Sequence, residues 1–397
     1  MTRKLGTPGG GHLGYYKRYG ISPVRYDIGD IAMHFDRRDS LYRSLGLPAV
    51  AFKGSRVLEV APGSGENSLY VAACHPASFD LVEANPVAVR DLHALYRRFE
   101  PPHTHPKIHA MRFEQFESKP IFDIAICENW LGSLPYEVAL VKKLASLVAP
   151  GGALAMTITP TSGFFPNIMR KLLANRVTDS TLSYEEKTRF LIGVFGSHLQ
   201  TMSGMTRTAS DWIQDCMLNP HYFHIVISLD TVVEAIGGEM EILSSFPRFT
   251  SDWRWFKSLT GTNRQFNGNA LTAYHENMHN FLDYRKTWPS RSAAVNAPLT
   301  EAFNAVHQAA IRWETAAERA DTAAIADLNN EIGELLSRIR TGVAEIDSEV
   351  VPALDELKAV WSHPALDGDM IRNMQSFAAL FGRETVYVSF TRPRATS

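Results

Sequence analysis

Cysteine is scarce: Cys74, Cys127 and Cys216 are the only three in 397 residues. An odd number without paired spacing excludes a disulfide scaffold and carries no zinc signature, so these are expected to be reduced thiols in a cytoplasmic protein. A surplus of positive charge is also missing. Forty Lys and Arg stand against forty-two Asp and Glu, a formal net charge of −2. That excludes a basic groove spread over the whole surface and makes a nucleic-acid partner unexpected, because phosphate binding needs concentrated positive charge. No apolar run approaches the roughly eighteen residues that cross a bilayer, so no membrane partner is expected. The opening residues 1–11 are charged and then glycine-rich, with no apolar stretch behind them. They read as a flexible leader rather than a signal peptide.

What is present is an ordinary globular composition, 45% hydrophobic and 21% charged, in a chain long enough for two to three domains at roughly 150 residues each. Arg56-Val57-Leu58-Glu59-Val60 is a short apolar run halted by Ala61-Pro62-Gly63-Ser64-Gly65. It reads as a buried strand with a sharp stop. Helical character over 67–73, a strand over 79–84, a helix over 86–99, a weaker strand over 107–111 and a strong one over 122–127 follow. An apolar-periodic helix over 138–148 is expected to break at Pro150-Gly151-Gly152 before a fifth strand, 153–158. The stretch 160–220 is mixed, with one helix near 185–197. The alternation resumes with a helix at 228–236, a strand at 239–246 and a last strand at 384–391. Such alternation predicts an α/β fold, a doubly wound and mostly parallel sheet with ligands at the C-terminal edge of its strands.

The sheet does not need the residues between its last two strands. This insertion opens with Trp253-Arg254-Trp255-Phe256-Lys257 and a polar loop at 261–269. From 299 to 357 its apolar spacing suggests a long antiparallel helical pair, a cap over an acceptor or a dimerisation surface. The aromatic stretch reads either as a clamp for a sugar or anion or as a helix packing its tryptophans inward, the latter preferred. His275-Glu276-Asn277-Met278-His279 matches the zinc-protease pattern, two histidines on one helical face. No third ligand follows at the required spacing and Asn277 is polar where such helices are apolar, so an exposed or substrate-facing helix is expected instead.

The turn after the first strand has a mechanical reading. Gly63 and Gly65 permit a tight bend and let a ligand lie against bare backbone, beside the free N–H groups that open the next helix. Glu83, at the end of the second strand, can accept hydrogen bonds from both hydroxyls of a ribose. A dinucleotide fingerprint would have a third glycine where Ser68 stands. Glu59 places negative charge where a pyrophosphate would be unwelcome and an ammonium group welcome.

At these residues the sequence resembles the class I S-adenosylmethionine-dependent methyltransferases. The matching segments are Val57-Leu58-Glu59-Val60-Ala61-Pro62-Gly63-Ser64-Gly65, Leu81-Val82-Glu83-Ala84-Asn85-Pro86, Phe122-Asp123-Ile124-Ala125-Ile126 and Leu147-Val148-Ala149-Pro150-Gly151-Gly152-Ala153-Leu154. The resemblance implies a Rossmann-like seven-stranded sheet with an antiparallel last strand and a large helical insertion. It also implies that Glu59, Ala61, Gly63 and Gly65 surround the methionine part of S-adenosylmethionine and that Glu83 holds its ribose. Phe113 and Glu114 would flank the adenine, and Cys127-Glu128-Asn129-Trp130 would border the methyl group. Ala61 stands where the family often has glycine, and Arg112 where it commonly has an acid. The Cys-Glu-Asn-Trp tetrad differs from the Asn-Pro-Pro-Tyr of the branches that methylate adenine or glutamine amides.

No metal-type acid pair is evident, so a metal-independent enzyme is expected, acting on an oxygen or nitrogen of a small molecule or glycan. His221 and His224 precede the helix at 228–236 and are the candidate general bases, with Asp211 or Asp215 orienting His221. Tyr15-Tyr16-Lys17-Arg18-Tyr19 is either a lid or a surface segment covering the sheet edge. Trp130 either lines the acceptor pocket or packs under its loop. The expected divisions are a leader with lid helices at 1–54, the cofactor core at 55–159, an acceptor segment at 160–220, completion of the sheet at 221–247 and 384–397, and the insertion at 248–383. The alternatives are a non-catalytic scaffold that binds a protein through its insertion, and an RNA methyltransferase.

Overall fold

The computed structural model describes residues 11–22, 25–119, 121–132 and 134–394; nearly all of the glycine-rich leader, 1–10, lies outside the described residues. The chain forms two compact units, one of residues 1–159, 224–274 and 385–397, the other of 160–223 and 275–384.

The first unit holds the whole sheet: β1 Arg56–Val60, β2 Ser78–Glu83, β3 Lys107–Ala110, β4 Phe122–Cys127, β5 Val148–Ile158, β6 Glu241–Phe246 and β7 Val386–Thr391. Their spatial order is β3-β2-β1-β4-β5-β7-β6. Pairing is parallel from β3 across to β5, and β7 runs antiparallel to both β5 and β6. β1 and β4 sit centrally, and their near-continuous apolar runs are what a strand buried on both faces requires. Glu59 breaks that run in β1 and is nonetheless buried. At the outer edge, Asn267 Oδ1 accepts from the Ile242 N–H at 2.8 Å, and the register slips between Ile242 and Ser244. Both features blunt β6 against a further strand.

β5 corrects one expectation. Pro150-Gly151-Gly152 does not separate a helix from a strand; β5 begins at Val148, opposite Phe122, and runs through the three residues. The extension past β7 carries them: Gly151 N–H donates to the Arg392 carbonyl at 2.8 Å, and Arg392 N–H donates to Gly152 at 2.9 Å. The preceding helix is Pro135–Ser146, its proline at the first turn where a missing N–H costs nothing.

The aromatic stretch is a second correction. Trp253, Trp255 and Phe256 do not pack inward along a helix; all three are exposed, with only a short turn at Phe256–Ser258. Arg254 is not available to an anion either. Its guanidinium pairs with Asp252 and donates to the carbonyls of Asn263 and Arg264 at 2.9 and 2.8 Å.

In the second unit the helix expected near 185–197 is Tyr184–Gln200, and it is preceded by one that the sequence does not announce, Thr161–Val177. Residues 161–174 are buried without exception, so that helix has no polar face and no 3.6-residue period to read. Gly163, a breaker in the sequence, is a packing necessity, since a Cβ there would lie 2.2 Å from the Arg383 carbonyl oxygen. The insertion contains the expected long pair, Ala293–Glu318 and Thr322–Ala344, together with shorter helices such as Phe266–Glu276 and Val351–Trp361. The first two are antiparallel: Leu299 lies against Gly342, and Trp313 Nε1 donates to Asn329 Oδ1 at 3.0 Å. Ile332, Leu336, Ile339 and Val343 supply the buried stripe of the second.

Candidate active site

β1 ends at Val60, and the chain enters the helix Ser68–Ala73 through Ala61 (φ 57°), Gly63 (φ 60°) and Gly65 (φ 90°). Left-handed backbone costs a residue with a Cβ roughly 1–2 kcal/mol, and at Ala61 it is held by an N–H bond to the Val82 carbonyl at 2.9 Å. Gly65 has a packing reason beside the bend that its left-handed backbone makes. A Cβ there would lie 2.3 Å from Leu92 Cδ2, so its bareness admits the neighbouring helix Pro86–Arg98. Gly63 N–H donates to Glu83 Oε2 at 3.1 Å, and Asn85 N–H donates to Oε1 at 2.7 Å. Glu83 thus ties the turn after β1 to the turn after β2, and each oxygen keeps a lone pair for another donor. Burial pushes its carboxyl up to about 7 against the pull of those backbone donors.

Beside this turn lies a buried charge cluster. Arg38, on the helix Ile31–Ser44, grips Glu128 with Nη2 to Oε1 at 2.5 Å and Nη1 to Oε2 at 3.1 Å. This is a two-pronged geometry that guanidinium favours. Tyr42 OH donates to Glu128 Oε1 at 3.2 Å and accepts from Arg38 at 2.7 Å; Asn67 Nδ2 reaches Oε2 at 3.4 Å. Glu59 Oε2 has no hydrogen-bond partner among the described residues, nor has Arg38 Nε. Burial, and then the nearby Glu128 charge, push the Glu59 carboxyl up to about 7. Two acidic side chains, Glu59 and Glu128, therefore lie within electrostatic reach of one guanidinium, with a buried acceptor and a buried donor both unused. A zwitterionic amino-acid end would supply the missing cation and the missing acceptor.

Glu128 is held by Arg38, Tyr42 and Asn67, three residues the sequence reading missed. The available signal was an Arg and a Tyr four apart on one helix, a spacing that also suits an exposed cation–ring contact. Asn129 follows in left-handed backbone (φ 51°), its N–H donating to Thr157 Oγ1 at 2.7 Å and its Oδ1 accepting from Thr385 at 3.2 Å. Phe113 and Trp130 meet edge to face at 6.0 Å, and Lys143 Nζ donates to the Glu114 carbonyl at 2.8 Å. The segment after the helix His12–Tyr19 reaches the same turn: Ser22 Oγ is 3.2 Å from Ser64 Oγ, and Asn85 Nδ2 donates to the Ile21 carbonyl at 3.0 Å.

The two candidate bases fall in different units. A Cβ on Gly132 would lie 2.0 Å from the His224 carbonyl oxygen, so His224 adjoins the loop after β4. His221 belongs to the second unit, where its N–H donates to Asn219 Oδ1 at 3.0 Å. Asp215 is ion-paired with Arg207 at 2.9 Å, and Asp211 N–H donates to Thr208 Oγ1 at 3.0 Å. The histidine pair at 275 and 279 does not share a helical face. The helix Phe266–Glu276 ends before Asn277, and His279 lies in the tighter turn Met278–Phe281. Both His279 ring nitrogens are engaged, Nε2 with the Pro289 carbonyl at 3.0 Å and Nδ1 with Asn296 Nδ2 at 3.1 Å. Among the described residues no group of three His, Cys, Asp or Glu is placed to hold a metal ion.

Residues 35–190 match the family model described as a methyltransferase domain. No curated protein matches the chain. Similar solved structures include the tRNA (m1A58) methyltransferase TrmI from Aquifex aeolicus, at 18% identity and TM-score 0.26 over 31% of this chain and 46% of that one. The N-methyltransferase NodS from Bradyrhizobium japonicum WM9 is similar at 14% identity and TM-score 0.34, over 58% of this chain and 88% of that one. Magnesium protoporphyrin IX methyltransferase from Synechocystis PCC 6803 is similar at 16% identity and TM-score 0.30, over 40% and 79%. The chain thus spans about half the length of the first of these. The glycine turn and the Glu83 tie both lie within residues 35–190, the part of the chain that is similar to a methyltransferase domain.

Proposed function

We propose that the protein transfers a methyl group from S-adenosylmethionine to an oxygen or nitrogen of a small molecule or glycan, without a metal. The observation that carries this reading is the pairing of a satisfied Glu83, which still has two lone pairs to offer, with an unsatisfied Glu59 Oε2 next to it in chain topology. Glu83 would hold the ribose hydroxyls. Glu59 would take the ammonium and Arg38 Nε an oxygen of the carboxylate, while Ala61, Gly63 and Gly65 shape the turn against them. Phe113 and Glu114 would flank the adenine, and Glu128, Asn129 and Trp130 the transferable methyl. Bound S-adenosylmethionine supplies an electrophilic methyl on a sulfonium. The chain's part is positioning, which in well-oriented systems contributes about 7–11 kcal/mol, and removal of the acceptor's proton by His221 or His224, typically worth roughly 10²–10⁴ in rate. The insertion, 248–383, is assigned to acceptor recognition or self-association.

The test is transfer of labelled methyl from S-adenosylmethionine into a metabolite extract in the presence of chelator and nuclease. Label in small molecules is expected; label that disappears on nuclease treatment would move the acceptor to RNA, and loss on chelation would refute metal independence. His221→Ala and His224→Ala separate the bases: the true base loses about 10²–10⁴ in turnover and its acid limb in the pH profile.

A further inference from the structure

Every exposed Phe and Trp among the described residues falls within eleven positions: Phe246, Trp253, Trp255 and Phe256, exposed by 45%, 96%, 64% and 66%. All belong to the first unit, on the segment that leaves β6. Single exposed apolar residues need no explanation, but large rings clustered on one loop mark an interaction surface. The charges around them identify the partner. Asp252 is consumed by Arg254 and Glu241 by Arg264. Arg248 and Lys257 have no carboxylate partner among the described residues, and both are exposed. The charge left on this loop is cationic.

Two other kinds of occupant fit less well. Asn267 and the bulge at Leu243 blunt the adjoining edge of β6, so it is not prepared for an added strand. Stacking of bases or sugars needs open ring faces. Here Trp255 and Phe256 are tilted together at 4.9 Å, and Lys257 Nζ stands over both rings at 5.7 and 5.9 Å. Exposed indole and phenyl rings with an ammonium against them and a second exposed cation on the same loop are instead suited to a lipid headgroup boundary, where indoles settle and lysine stems snorkel.

We propose that the loop 246–257 docks the protein on the surface of an anionic lipid bilayer, its rings entering the headgroup boundary and Arg248 and Lys257 meeting the lipid phosphates. No helix among the described residues is long and apolar enough to cross a membrane, and peripheral docking requires none.

The full chain is sedimented with vesicles of phosphatidylcholine alone and of phosphatidylcholine mixed with phosphatidylglycerol, at rising salt. Binding is expected only with the anionic lipid, weakening as salt rises. Lys257→Ala and Arg248→Ala should each lower the partition coefficient about fivefold, and the triple variant W253A/W255A/F256A should abolish it while melting at the wild-type temperature. Failure of the wild type to sediment with anionic vesicles, or retention of binding by the triple variant, overturns the proposal. So does a loop-dependent gain of mass in light scattering without lipid, or loop-dependent retention on a single-stranded oligonucleotide in place of vesicles.

Discussion

Glu59, Glu66 and Glu83 cluster around one turn, and burial pushes each carboxyl up to about 7. In the unfolded chain a glutamate titrates near 4.3, so the ligand-free fold prefers these groups protonated. Their contribution to stability is greatest below the unfolded value and is lost as pH rises toward about 7. The melting temperature of the free protein should therefore fall between about pH 5 and pH 7.5 by more than in Glu59→Gln, and a flat or rising profile would contradict the assignment. Cofactor binding should run the other way. It uses Glu59 and Glu83 as carboxylates, so affinity should weaken about tenfold per required carboxylate between pH 8 and pH 6. Calorimetric titration at the two pH values checks this, with Glu59→Gln removing one step. Ala61 adds a third residue-level test: Ala61→Gly relieves left-handed backbone and should stabilise the protein by up to about 1 kcal/mol in urea unfolding.

Elements meet where Gly65 backs onto the helix Pro86–Arg98. Leu92 is fully buried and cannot retreat, so Gly65→Ala should cost about 1–3 kcal/mol through overpacking, with strain at φ 90° added. A variant as stable as wild type would show that this helix does not press on the turn. Legibility at this scale followed amphipathicity. The strands β1, β2 and β4 and the helices beside them were plain in the sequence, because burial of one face leaves a period or a clean apolar run. The helix Thr161–Val177 was not, since a helix buried all round has no period, and its Gly163 signals a break although it serves packing. The Pro-Gly-Gly reads as the end of an element because its two glycines hydrogen bond to residues about two hundred and forty positions later, beyond any local window.

Across the whole molecule, the turn and Glu83 were visible from spacing alone, but the charge cluster was not. Arg38 and Glu128 are ninety positions apart and adjacent only in the fold. Their side chains are 6% and 10% exposed, so removing one partner leaves a buried charge, at a cost of about 3–5 kcal/mol. Glu128→Gln should lower stability in that direction, whereas the double variant Arg38→Met, Glu128→Leu should recover much of it and still fail to respond to cofactor. Recovery of both together would remove Arg38 from the cofactor's carboxylate.

The most direct measurement is calorimetric titration of S-adenosylhomocysteine into the wild-type chain and into Glu83→Ala, with thermal melts to establish that both are folded. One saturable site is expected in the wild type. Loss of hydrogen bonds to a charged group, about 1.5–3 kcal/mol each, should weaken binding in the variant by at least about a hundredfold. Equal affinity in the two proteins, or a folded wild type that takes up no S-adenosylhomocysteine at millimolar concentration, would contradict the account.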